Sequence, residues 1–192
     1  DAHDAHRALR GQMLRQEVYG EDAHPNASEP YLITETQVEV RRLHAGSAPR
    51  RSVFAVVPRE TRSFHTERDL TDVRVVRELT LEVTDVDARY GHVGRTATIA
   101  FGRGTGPALQ TRDWITTREA RVAHHDALGG ADRVRLPFAA RSFERTGLAL
   151  AVDTPLAALR SDLDGAGGTT TLLTHEQTLY WNADRTAERP EG

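Results

Sequence analysis

Residues able to do chemistry are common in this chain, but their spacing does not suit it. Asp1-Ala2-His3 has the arrangement that, at a free amino terminus, wraps an amine, two deprotonated amides and an imidazole around square-planar Cu(II) or Ni(II). The pattern asks only for a histidine at the third position. The repeated Asp-Ala-His at 1–6 reads more simply as the solvated face of a helix. His124-His125-Asp126 sets three metal-ligating groups in a row. Neighbours on an extended strand point to opposite faces, so they do not close on one ion, and 124–133 reads as a solvated loop. Gly102-Arg103-Gly104-Thr105-Gly106 has the glycines of a phosphate-cradling loop. It lacks the Lys-Ser/Thr ending and a following helix, and reads as a flexible turn. Asn26-Ala27-Ser28 matches the N-glycosylation triplet, which chance supplies often. No Gly-x-Ser-x-Gly, His-Glu-x-x-His or Ser/His/Asp set is present. Among 28 Asp and Glu residues some pair must lie close in space, but nothing in their order selects the acid and base of a hydrolase. The sequence assigns no catalytic residue, no cofactor-binding residue and no metal ligand, and it implies no cofactor.

Composition points the same way. The 25 basic and 28 acidic residues leave a net charge of −3, so neither sign builds the field that draws a protein to nucleic acid or to an anionic membrane. No apolar run nears the roughly 20 residues that span a bilayer as a helix. Cysteine is absent, which removes disulfides and thiolate metal sites. Every basic residue is arginine. Their scatter along the chain fits codon usage in a GC-rich genome better than a focused guanidinium site for phosphate or carboxylate. The chain begins at Asp1 without a secretion-signal pattern and ends Arg-Pro-Glu-Gly, so it is read as a piece of a longer protein.

The elements that would position any site are strands. Ala2, Ala5, Ala8 and Leu9, followed by Gly11, predict a short helix within 1–12. From Met13 to Gly104 the apolar residues alternate at period two over 14–22, 30–44, 52–68, 73–85 and 88–104. Over 30–44, Leu32, Thr34, Thr36, Val38 and Val40 share one face, and Glu35, Gln37, Glu39 and Arg41 the other. Pro58 is expected to interrupt a regular central strand, and Pro137 to do the same later. In 73–85 the alternation of Val73, Val75, Leu79, Leu81 and Val83 has one exception, Arg77. Asp85 and Asp87 open a turn. Residues 105–192 add strands at 109–122, 134–145 and 169–181, the last with a short helix as its alternative, and a helix at 154–164, with Thr154 as cap, Pro155 at the first helical position and Leu156, Leu159 and Leu163 on one face. Aromatics recur along the strands and are expected to pack against cross-strand neighbours. The expected fold is mainly β: an extended antiparallel sheet of about eight strands with two short helices, without the β-α-β order of a nucleotide fold.

An ordered set of short motifs then resembles a known family. Leu14-Arg15-Gln16-Glu17-Val18-Tyr19, with Pro30-Tyr31-Leu32-Ile33-Thr34-Glu35, is similar to the start of the middle/C-terminal region in the B component of insecticidal Tc toxin complexes. Phe64-His65-Thr66-Glu67-Arg68 is similar to that region's Y-x-Y-E-R, and Leu79-Thr80-Leu81-Glu82-Val83 also matches. Tyr90-Gly91-His92-Val93 through Ala100-Phe101-Gly102-Arg103 resembles its Y-G-N-V…A-Y-G-R segment, a variant of the Rhs/YD repeat. Arg135-Leu136-Pro137, Arg141-Ser142-Phe143-Glu144-Arg145-Thr146-Gly147-Leu148 and Thr178-Leu179-Tyr180-Trp181 keep the family's order. Departures occur at Ala88-Arg89, where a turn Asp is common, at Gly94 in place of an apolar residue, and at His65 in place of an aromatic.

The resemblance implies that 1–192 is one segment of a hollow shell of spiralling β-sheet. That shell is formed with the N-terminal part of the C component, encloses a toxic effector, and docks on a pore-forming A component through other regions. The implied role is structural and non-enzymatic, in a secreted, extracellular complex. The expected partners are the rest of the parent chain, the C component with its effector, and the A component; nucleic acid and direct membrane insertion are not expected. The rival reading is a carbohydrate- or surface-binding β module of an Rhs-like cell-surface protein. A hydrolase with a carboxylate pair is a distant third.

Overall fold

The computed structural model describes residues 2–47, 50–84, 92–104, 106–125 and 133–180. Asp1, Asp85, Asp87, Tyr90, Gly91, Thr105, Asp126 and Trp181, each named above, lie outside the described residues. Among the described residues eight strands form a single open antiparallel sheet in simple sequential order. They are β1 (Arg15–Val18), β2 (Leu32–His44), β3 (Val53–His65), β4 (Arg74–Thr84), β5 (His92–Ala100), β6 (Trp114–His125), β7 (Arg133–Thr146) and β8 (Thr169–Gln177). Helix α1 (Ala2–Ala8) precedes them, and α2 (Leu156–Asp164) lies between β7 and β8. The mainly β fold with two short helices is as expected.

A lone sheet has no second layer to dry its faces, so the core is small and central. Val75, Leu79 and Leu81 of β4, Ala97 and Ile99 of β5, Phe101 and Ile115 pack with Leu159 and Leu163 of α2. The segment 147–168 leaves β7, runs back across one face to β4, and returns as α2 before β8. Leu159 and Leu163 are wholly buried, and each such side chain is worth about 1.5–3 kcal/mol of burial. Away from this lid the sheet is wet: every described residue of β1 and of β8 is exposed.

The irregularity expected at Pro58 is present, and the strand continues through it. β3 runs unbroken from Val53 to His65, and Pro58 sits at a bulge where Gln37 pairs Glu60 and Val38 pairs Pro58, leaving Arg59 extra. The pairing of β3 with β4 begins only at Glu60. A residue without an N–H is therefore tolerated in the ladder. Two local expectations need correction. Thr154 is not the cap of α2. Pro155 occupies that position without a side-chain bond, and the Thr154 hydroxyl accepts from the Ala151 amide instead (3.2 Å). His124 and His125 end β6 and do not open a loop.

Candidate functional site: arginine pins and an ion-pair row

The exception at Arg77 is the structural key. Its side chain is wholly buried in the apolar stripe of β4. Its Nε donates to Glu60 at 2.5 Å, and Glu60 is itself 4 % exposed. Its Nη1 donates to the carbonyls of Val152 (3.0 Å) and Thr154 (2.6 Å). A buried charge is tolerable only when paired and hydrogen-bonded; here β3 supplies the carboxylate and the returning segment two carbonyls, while Nη2 is buried without a partner among the described residues. Arg145 repeats the device at the other end of α2. It is 8 % exposed, and its guanidinium donates to the carbonyls of Leu163 (2.9 Å), Gly165 (3.2 Å) and Gly167 (2.9 Å). Arg160, on α2 itself, donates to the carbonyl of Leu81. The forked guanidinium has the donors for this work, which an ammonium point charge does not match.

The Phe-x-x-Glu-Arg motif is another pin. Glu67 and Arg68 have positive φ (49° and 67°), turning the chain sharply after β3. The Arg68 side chain lies over the Tyr31 ring at 4.3 Å from its centroid. It donates to Asp22 (2.8 Å) and to the Gly20 carbonyl (3.0 Å). The Thr66 hydroxyl donates to the carbonyl of Pro30. A Cβ at Gly20 would collide with both Arg68 and Tyr31, so Gly20 is fixed by this approach. Loop 20–31 is thereby stapled to the β3–β4 turn. The Phe-Gly-Arg motif joins it: Phe101 is in the core, the Gly102 amide donates to Asp113 (2.8 Å), and Arg103 reaches Asp72 (3.7 Å) and Glu67 (3.9 Å). The glycine-rich 102–106 stretch thus has an internal carboxylate on its Gly102 amide, where a phosphate-cradling loop would hold its ligand.

Asp22 carries a pH consequence. The hydrogen bond from Arg68, then that from the His24 amide, holds its carboxyl below the ordinary value. A depressed native pKa adds stability that is complete above the ordinary carboxylate value and disappears as pH falls through the lowered one. Protection of the loop 20–31 amides, taken relative to the intrinsic exchange rate at each pH, is expected to be high at neutral pH and to fall below about pH 4; Asp22→Asn should show the low protection at both. Equal protection at both pH values in the native chain would dismiss this coupling.

The face that carries α2 also bears a charged row. Register aligns Arg15, Glu35, Arg62 and Arg77 across β1 to β4, and Arg95, Glu119, Arg141 and His175 across β5 to β8. Ion pairs join Arg15 to Glu35, Arg62 to Glu60 (3.1 Å), Arg95 to Glu119 (3.8 Å) and Arg95 to Asp164 (2.8 Å). A cleft of about 480 Å³ is bordered by Glu82, Arg95, Glu119 and Phe138.

Arg68, Arg103 and Arg145 stand in the quoted motifs, whereas Arg77 and Arg160 lie outside them. Arg77 reads in sequence as a flaw in an alternation; register sets it opposite Arg62, from where it reaches Glu60 on the diagonal. The residues weighed for chemistry stay apart: His3 is exposed on α1, and the Asn26 amide donates to the Arg68 carbonyl (3.0 Å). Among the described residues no group of three His, Asp or Glu residues could hold a metal, and no helix is long and apolar enough to cross a membrane.

The family model of the insecticide toxin TcdB middle/C-terminal region matches residues 4–131. Among solved structures, TcdB2-TccC3 without its hypervariable C-terminal region superimposes with a TM-score of 0.77 at 25% identity, over 97% of this chain and 10% of that one. TcdB2-TccC3 gives 0.78 at 24% identity, over 95% and 10%. The Photorhabdus luminescens Tc holotoxin pore gives 0.77 at 24% identity, over 95% and 9%. The chain therefore spans about a tenth of the length of the solved chains it matches. No curated protein matches it.

Proposed function

Since the chain belongs to the insecticide toxin TcdB middle/C-terminal region family, we propose that it is a non-catalytic wall segment of a bacterial toxin complex shell, which encapsulates a toxic effector and helps deliver it. The single observation that carries this reading is the open sheet. Among the described residues β1 pairs only with β2 and β8 only with β7, so both outer strands present there a line of backbone donors and acceptors with no strand beside it. Flanking strands of the parent chain would continue the ladder on each side. Residues 1–12, 13–104 and 105–192 act in it as one segment rather than as separate domains. The parent would work in a secreted complex, with the C component and its effector as partners and the pore-forming A component engaged through other regions.

The rival glycan-binding module needs open aromatic faces. Of the exposed aromatics, Tyr31 carries Arg68 on its ring, and Trp114 carries Arg112 at 3.4 Å from its centroid. Two stacking platforms are thus already covered by guanidinium groups.

Unpaired edges invite association. Sedimentation of the isolated 192-residue chain should show concentration-dependent self-association that disappears when neighbouring parent segments are co-expressed. A monodisperse monomer with high, cooperative stability would count against the wall-segment reading.

A further inference from the structure

The sheet is a four-stranded unit used twice. Pro58-x-x-x-Arg62-Ser63-Phe64 in β3 recurs as Pro137-x-x-x-Arg141-Ser142-Phe143 in β7. The register agrees in detail. Val38 pairs Pro58 as Val122 pairs Pro137, each at a bulge with one extra residue, Arg59 or Phe138. Glu35 pairs Arg62 as Glu119 pairs Arg141, and Arg15 pairs Glu35 as Arg95 pairs Glu119. Thus β1–β4 correspond to β5–β8, and the next position along each row is Arg77 in the first unit and His175 in the second.

The two units differ in what covers their fourth strand. In the first, β4 is buried beneath the third-to-fourth strand connection of the second unit, 147–168, whose carbonyls bind Arg77. In the second, β8 is bare: Leu172 is 53 % exposed, and His175, Arg141 and Arg121 line an open cleft of about 170 Å³ with Phe138. Arg121 and Arg141 hold no hydrogen bond or ion pair among the described residues.

We infer that this face of β7 and β8 is the seat of a second backfolded segment, the third-to-fourth strand connection of the following unit of the same polypeptide. It would set main-chain carbonyls on Arg121 and Arg141 and apolar side chains on Phe138 and Leu172, contacts of the kind that 147–168 makes one unit earlier with Arg77 and Val75. The inference rests on the wall-segment reading, since it needs the chain to continue beyond β8. It makes the shell a series of overlapping lids, each unit locked by the one after it.

The test is made on the full-length protein that carries this segment. Phenylglyoxal modification is read by peptide mass mapping against N-acetylarginine amide in the same tube, with amide exchange of β8 measured in parallel. The expected result is that Arg121 and Arg141 react at least about tenfold more slowly than the free derivative, approaching Arg77, and that β8 amides are protected. Protected β8 amides with Arg121 and Arg141 as reactive as the derivative would leave the wall reading standing and overturn the seat. Fast-exchanging β8 amides would overturn both.

Discussion

Replacing Arg77 with methionine is expected to cost about 3–5 kcal/mol, one of the two largest single-residue effects in this segment. The size follows from what the change leaves behind. Glu60 is 4 % exposed and would be left buried without the guanidinium 2.5 Å away. The carbonyls of Val152 and Thr154 would lose their donor. Arg62, 3.1 Å from the same carboxylate, remains as a partial partner and places the effect toward the lower end. The measurement is urea unfolding followed at Trp114, at concentrations low enough to keep the chain dissociated. The double change Arg77→Met with Glu60→Leu should recover much of the loss, because the pair's own net worth is small once both charges are gone. If Arg77→Met cost less than about 1 kcal/mol, typical of an exposed ion pair, the buried clamp would be the wrong description.

That result bears on what sequence alone can reveal. The strands were legible because one face of each is drier than the other; Leu79, Leu81, Ala97 and Ile99 keep period two without a gap. Helix α2 was legible because Leu159 and Leu163 stand one turn apart and are both buried. Arg77 was not, because a charge in an apolar stripe looks like noise until its partner seventeen residues earlier is placed beside it, on the diagonal of the β3–β4 pair. The Pro-x-x-x-Arg-Ser-Phe recurrence is present in the sequence, but its meaning rests on pairing: Glu35 and Glu119 lie on other strands, and only register joins them to Arg62 and Arg141. Pro58 marked the irregularity in β3 but not its form. A proline forbids a ladder bond, but at a bulge that has no partner on the β4 side there is no bond to forbid.

Leu163→Ala is the second large effect, and its form matters more than its size. Deleting a buried leucine side chain costs about 2–5 kcal/mol when the surroundings hold their shape. The sheet beneath Leu163 is hydrogen-bonded on both sides through β4 and β5 and cannot collapse into the gap. Helix α2 is different: nine residues are too few to be helical alone in water. It persists because Leu159 and Leu163 anchor it and because Arg145 and Arg77 hold the carbonyls at its two ends. Loss of one anchor should therefore detach the lid before it unfolds the sheet. Under brief thermolysin treatment, Leu163→Ala should be cut within 147–168 many times faster than the native chain, while the β2–β3 and β6–β7 hairpins stay intact. Leu156→Ala, at the half-buried start of the helix, should change cleavage far less. Uniform digestion of lid and sheet together would show one cooperative unit, and the lid would then be inseparable from the wall it covers.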